Sequence, residues 1–274
     1  MTSVVRPYAE VIGDPIDHSL SPVIHGFWLE ALKIEADYRR RQVRRADLPA
    51  YLAEKKADAA WKGSNVTMPL KLDALALADE PTDRALAAGA ANTLVPRDGK
   101  LVAANTDVGA IATLIDRARQ AGTAIPNVTL FGNGGAARAA LAALRLLNVQ
   151  VIQIHARDLQ AATALAVEFG LSDGPVGMDH PAAGALLINA TPLGMDGHDC
   201  LNCDLSAMPG KGLVFDMVSA PAETPLIKVA RARGLKVITG LEMLVEQAAA
   251  SFKLFFAADA PRDRDAELMQ RLNP

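Results

Sequence analysis

"VTLFGNGGAAR" (residues 128–138) runs an apolar stretch into three glycines within four positions. "NVTLF" (127–131) reads as a buried strand, and "AARAALAALRLL" (136–147) as a helix of strong helix formers. Between them, Gly132, Gly134 and Ala137 fall in the spacing G-x-G-x-x-A. In a strand–turn–helix context this is the dinucleotide-binding pattern. The first glycine permits a tight turn, and the second lets backbone approach a pyrophosphate. The small third residue lets helix and strand pack closely. The helix N-terminus offers free N–H groups and partial positive charge to the phosphates. Gly132, Asn133, Gly134, Gly135 and Ala136 are therefore the candidate phosphate cradle.

Strand and helix keep alternating downstream. "VQVIQIH" (149–155), "GALLINA" (184–190), "GLVFDMV" (212–218) and "LKVITG" (235–240) read as strands. "LQAATALAVEFG" (159–170) and "TPLIKVARARG" (224–234) read as helices, each ending at a glycine. Such alternation predicts a doubly wound parallel sheet covered on both faces. The first part alternates less regularly. "YAEVIG" (8–13), "ADYRRRQV" (36–43), "WKGSNVTM" (61–68) and "LVAANTD" (101–107) read as strands. "SPVIHGFWLEALKI" (21–34) reads as a helix with Ser21 as N-cap and Pro22 at the first turn. "VGAIATLIDRARQ" (108–120) and "LEMLVEQAAASFKLFFA" (241–257) are further helices. A chain of 274 residues suits two domains. The expected division is a substrate-binding α/β domain (1–106), a Rossmann-type dinucleotide domain (107–240), and a C-terminal helical segment (241–274) that packs back on the first.

Net charge is −3, with 50% hydrophobic and 22% charged residues. That balance describes a globular chain and argues against a general nucleic-acid binder. The basic run "RRRQVRR" (39–45) reads as a solvated strand or loop among acidic neighbours. No apolar run is long enough to span a bilayer, so the expectation is a cytoplasmic protein with no membrane partner. Cys200 and Cys203 in "HDCLNC" have C-x-x-C spacing but no second pair, and lie in a Gly/Asp/Asn-rich stretch. They read as incidental thiols of a surface loop, and no metal site is expected.

The strand after the glycine turn ends at "IHARD" (154–158). An acidic residue there binds the ribose of NAD, whereas arginine suits the 2′-phosphate of NADP. Asp158 favours NAD; Arg157 leaves NADP possible. Asp158 is also placed to cap the helix that follows. Ser19 and Ser21 in "HSLSP", Asn65, Thr67 and Lys71 in "NVTMPLK", Asn92 in "AANTL", and Asn105 and Asp107 in "NTD" put short polar groups at strand ends and turns. Small ligands are read at such places, and hydroxyls and amides suit a hydroxyl-rich substrate. Oxidising an alcohol carbon requires removing the hydroxyl proton. Lys71 can take it, with a carboxylate such as Asp107 to orient the lysine. Each residue alone also has an ordinary reading, Asp107 as a helix cap among them.

These stretches, together with "NATPLGM", "FDM" and "LVEQAAASF", occur in the order found in shikimate dehydrogenases, and the chain resembles that family from near its start to about residue 257. The resemblance implies reversible oxidation of the alcohol of shikimate to 3-dehydroshikimate with a nicotinamide cofactor. It also implies two α/β domains with the active site in the cleft between them, in a monomer or homodimer. On matching positions, Lys71 and Asp107 become the catalytic pair. Ser19 and Ser21 hold the substrate carboxylate, Thr67, Asn92 and Gln247 bind hydroxyls, and Asn65 supports that wall. Thr191 and Met195 line the nicotinamide, beside Gly240.

Three departures stand out. Ser219 replaces a usual tyrosine. "TGLEML" replaces the usual "DGxGML", so Thr239 and Glu242 stand for an aspartate and a glycine, and Glu242 adds bulk and charge near the expected nicotinamide region. "HARD" replaces Asn-Arg-Thr or Asn-Arg-Ser and looks closer to the NAD-using quinate/shikimate branch. Quinate is therefore an alternative substrate. A weakly catalytic binding relative, or an NAD enzyme of another polyol acid, is the alternative reading.

Overall fold

The computed structural model describes residues 6–273. The first half runs β1 (Tyr8–Gly13), α1 (Ser21–Ala31), β2 (Asp37–Gln42), α2 (Leu48–Lys56), β3 (Trp61–Val66), α3 (Lys71–Ala76), β4 (Glu80–Pro81), α4 (Asp83–Ala88), β5 (Thr93–Arg97), β6 (Lys100–Ala104) and α5 (Thr106–Gln120). It continues with β7 (Asn127–Phe131), α6 (Gly135–Leu146), β8 (Val151–His155), α7 (Leu159–Phe169), β9 (Leu186–Asn189), β10 (Leu213–Asp216), α8 (Pro225–Ala232), β11 (Lys236–Ile238), α9 (Gly240–Phe256) and α10 (Asp265–Leu272). The chain forms two compact units, Met1–Thr106 with Val245–Pro274, and Asp107–Leu244. Residues 1–5 and 274 of the first lie outside the described residues.

In the first unit the sheet order is β2-β1-β3-β5-β6-β4. β2, β1 and β3 are parallel, but β5 is antiparallel to both β3 and β6. The alternation read from the sequence missed this reversal. Its cause is local: Asp98 and Gly99 have φ of 51° and 77°, the pair of left-handed residues that closes a two-residue hairpin. α1 also differs from expectation. Ser21 is its first helical residue, while Leu20 occupies the cap with no side-chain cap bond. The helix ends at Ala31, and Lys33 turns the chain with φ 54°. Ile12, Leu48, Trp61, Leu70, Leu94 and Leu101 form the packed centre of this unit.

The second unit is a wholly parallel sheet in the order β11-β10-β9-β7-β8. Strand order reverses on either side of β7, so a crevice forms at the carboxyl ends of β7 and β9. A further parallel bridge, His155 to Val176, extends the sheet beyond β8. Phe131, Leu187, Val214, Leu226 and Ile227 pack one core of this unit. Thr224 caps α8 by accepting from the Ile227 N–H, and Gly170 ends α7 in the left-handed conformation at φ 67°.

Two histidines are sealed in these cores. His25 and His155 are both 0% exposed, and neither ring has a hydrogen-bond partner among the described residues. His25 stacks face to face on Tyr38 at 3.9 Å, and His155 lies 4.5 Å from Phe131. Burial lowers His25 to about 3. Burial, then the neighbouring His180, lowers His155 to about 4. Both are therefore neutral in the folded state. In the unfolded chain they take up protons below the ordinary value of 6.5. The unfolded state then binds more protons, so stability falls as pH drops from 6.5 towards 4. Each histidine is expected to remove about 2 kcal/mol between pH 7 and pH 5. Urea unfolding at the two pH values measures this. His25→Phe should flatten the dependence, and an unchanged slope would show that His25 is solvated.

Candidate active site

The polar residues of the first unit gather at the carboxyl ends of β1 and β3 and the start of β5. Asn65, at the end of β3, is 5% exposed. Its Oδ1 accepts from Tyr38 Oη at 2.6 Å and Ser251 Oγ at 3.3 Å. Its Nδ2 donates to Thr93 Oγ1 at 3.2 Å and the Asn92 carbonyl at 3.4 Å. The amide of Asn65 is thus saturated by protein groups. Asn92, 3% exposed, accepts from the Thr106 N–H at 2.7 Å through Oδ1, and its Nδ2 donates to Thr106 Oγ1 at 2.8 Å and Gln247 Oε1 at 3.4 Å. Thr106 Oγ1 also donates to Gln247 Oε1 at 3.3 Å. Asn92, Thr106 and Gln247 therefore form one buried amide–hydroxyl triad, and Asp107 follows Thr106 directly.

Lys71 opens α3 and is half-buried; its backbone carbonyl accepts from the Ala91 N–H at 2.8 Å, next to Asn92. Thr67 starts the turn before it, and its carbonyl accepts from Leu70 N–H at 3.0 Å. Asp107 is the second residue of α5 and 4% exposed, inside the helix rather than capping it. Ser19 is half-buried, and its Oγ accepts from the Ser21 N–H at 3.4 Å. The Ser21 hydroxyl neighbours that of Tyr38. Asn105 is taken up by a bond to the Ala90 carbonyl at 2.8 Å, which holds the strand end.

In the second unit Gly132 has φ of 109°, a conformation that favours glycine. A Cβ there would lie 3.0 Å from the Ala190 carbonyl oxygen. Gly134 is different. Its φ is an ordinary −90°, and an added Cβ meets no atom within 4 Å. Nothing in the protein itself demands glycine at 134, and its backbone is left open to close approach from outside. Gly135 and Ala136 begin α6, whose first N–H groups lack helical partners. The residues present therefore fit a pyrophosphate.

Asn133 Nδ2 donates to the Asp158 carbonyl at 3.5 Å, tying the turn to the end of β8. Asp158 caps α7: its Oδ1 accepts from the Ala161 N–H at 2.9 Å. Arg157 is exposed, and its guanidinium has no hydrogen bond or ion pair among the described residues. The arginine of the glycine motif itself, Arg138, is committed to Glu168 by two bonds of 2.7 and 2.6 Å.

Two loops complete this unit's site. Asn189, at the end of β9, accepts from Thr191 Oγ1 at 2.7 Å and donates to Asp216 Oδ1 at 2.9 Å. Asp216, fully buried, also accepts from Thr224 Oγ1 at 2.5 Å. Burial raises its carboxyl above the usual range, while these bonds oppose the rise. This network fixes the loop bearing Thr191 and the half-buried Met195. Thr239 and Glu242 form a capping box on α9. Glu242 Oε2 accepts from Thr239 N–H at 2.7 Å and Oγ1 at 2.8 Å, and Glu242 N–H donates to Thr239 Oγ1 at 3.3 Å. The extra charge expected of Glu242 is thus held on the helix end. Gly240 is enforced by contact, since a Cβ would lie 2.2 Å from the Val218 carbonyl oxygen.

The cysteines are not both incidental. Cys200 is exposed, but Cys203 packs against the core of this unit, and burial pushes its thiol up to about 11. Among the described residues, no group of three or more His, Cys, Asp or Glu could hold a metal, and no helix is long and apolar enough to cross a membrane. Sequence reading missed Tyr38, Thr93, Thr106 and Ser251. Tyr38 had a signal, because it shares one face of β2 with Arg40 and Gln42.

Comparison with known proteins adds the following. A family model described as the shikimate dehydrogenase substrate binding domain matches residues 11–94, and one described as the shikimate 5′-dehydrogenase C-terminal domain matches residues 240–270. The protein named shikimate dehydrogenase (NADP(+)) of Sphingopyxis alaskensis is 46% identical over 264 residues, covering 96% of this chain and 95% of that one. Shikimate 5-dehydrogenase from Thermus thermophilus, solved with NADP(H) and shikimate, has a TM-score of 0.84 at 34% identity, covering 97% of this chain and 99% of that one. Quinate dehydrogenase from Corynebacterium glutamicum, solved with NAD, also has a TM-score of 0.84, at 29% identity and 97% and 99% coverage.

Proposed function

This chain belongs to the shikimate dehydrogenase family, and from that premise we propose that it is an NADP-dependent shikimate dehydrogenase, interconverting shikimate and 3-dehydroshikimate. The observation that carries the cofactor reading is the division of labour at the end of β8. Asp158 spends its carboxylate on the α7 cap, whereas Arg157 is exposed and unpaired. A free guanidinium suits a 2′-phosphate, and a capping carboxylate is poorly disposed to read a ribose. This favours NADP over the NAD that Asp158 suggested in the sequence. The curated relative's name points the same way.

The first unit is proposed as the substrate domain and the second as the cofactor domain. Gly132, Asn133, Gly134, Gly135 and Ala136 would hold the pyrophosphate, Arg157 the 2′-phosphate, and Thr191, Met195 and Gly240 the nicotinamide. The bound nicotinamide supplies a hydride acceptor. The protein's part is to position the ring and manage one proton. Ser19 and Ser21 receive the carboxylate, and Thr67, Asn92 and Gln247 read hydroxyls. Asn65, with every polar atom satisfied, keeps that wall rigid, which favours orientation of the reacting carbon. Lys71 and Asp107 are the proposed catalytic pair, with Lys71 taking the hydroxyl proton in the forward direction and returning it in reverse.

Initial rates with shikimate and quinate, each with NADP and NAD, test the reading. Shikimate with NADP should give the highest kcat/KM. Turnover confined to quinate with NAD would replace it with the quinate dehydrogenase reading, which the likeness to the Corynebacterium enzyme keeps as the second choice.

A further inference from the structure

Alternation along β2 places Tyr38, Arg40 and Gln42 on one strand face. Each bonds a residue of another segment. Tyr38 Oη bonds Asn65, and Gln42 Nε2 donates to Asp14 Oδ1 at 2.6 Å. Arg40 donates to the Ser19 carbonyl from both Nε (2.9 Å) and Nη2 (2.6 Å). The neighbouring arginines behave differently. Arg39 is paired with Asp37, Arg41 lies 4.0 Å from Glu54, and Arg45 is paired with Asp73. Arg40 has no carboxylate partner among the described residues, and unlike the equally uncommitted Arg44 it is tied to the Ser19 loop. Its charge rests on a neutral carbonyl, in the loop whose serines are proposed to receive the substrate carboxylate. A guanidinium has five N–H groups, so those not used on Ser19 remain available to an anion.

We infer that Arg40 is a specificity-determining residue that makes the Ser19–Ser21 loop select an acid over its neutral counterpart. It clamps the loop by its two bonds and leaves an unneutralised positive charge beside the carboxylate subsite. This rests on the reading of shikimate as substrate. The charge acts on binding in ground and transition states alike, so its loss appears in KM more than in kcat.

The test compares shikimate with its methyl ester, using NADP, for the parent enzyme, Arg40→Gln, Arg40→Lys and Arg44→Gln. Arg44 is an exposed arginine of the same segment whose guanidinium has no partner among the described residues. Arg40→Gln should raise KM for shikimate about tenfold, with a much smaller change for the ester. Arg40→Lys should recover part of the acid preference, and Arg44→Gln should leave it intact. Equal losses on acid and ester would overturn the inference and reduce Arg40 to a loop brace, as would an unchanged KM. If the parent enzyme does not turn over shikimate, the substrate reading itself falls and this inference falls with it.

Discussion

Lys71→Ala should lower kcat for shikimate oxidation by about 10³-fold while KM for NADP stays within about twofold. Proton transfer by a positioned side chain contributes on the order of 10²–10⁴ in rate, and about 10³ corresponds to about 4 kcal/mol of barrier. No other amine on the described cradle can substitute. The other residues proposed to line the substrate site carry amides and hydroxyls: Asn65, Thr67, Asn92 and Gln247. The backbone bond from the Ala91 N–H to the Lys71 carbonyl survives truncation, so the start of α3 keeps that tie. A melting curve like the parent's, with turnover lost, separates chemistry from folding. A loss of only a few-fold would remove Lys71 from proton transfer.

Arg157→Gln should cost the NADP reaction about 30- to 100-fold in kcat/KM and change the NAD reaction by less than about threefold, since a charge-assisted bond to phosphate is worth about 2–3 kcal/mol. The companion variant is Asp158→Asn. Asparagine caps helices as well as aspartate does, so α7 keeps its end and the cofactor preference should be little altered. If Asp158→Asn instead abolishes NAD use and raises NADP use, the aspartate reads the ribose and the cofactor assignment reverses.

The second unit was legible because its signals are local and repeated. Apolar strand, glycine turn and alanine-rich helix each specify one short segment, and β7, α6, β8 and α7 follow within a few residues of expectation. The first unit was harder. α2 has little amphipathic pattern, and α3 and α4 are each six residues long. The β5–β6 hairpin hangs on Asp98-Gly99, a signal that a reading tuned to alternation overlooks. At the site, one residue type often served two local rules. Asp158 fitted both a ribose contact and a helix cap, and only three-dimensional pairing assigns its Oδ1 to Ala161. Thr239 and Glu242 spell a capping box, yet a family comparison draws the eye to what they replace. Tyr38 and Arg40 bond residues far apart in sequence, so reading 36–43 as a strand gave neither of their partners.

The most direct measurement uses shikimate deuterated at the carbon whose hydroxyl is oxidised, with purified enzyme and NADP. The deuterium should be recovered in the reduced cofactor, with a slowed rate for the hydride step. Oxidation without deuterium in the cofactor, or no oxidation at all, would contradict it.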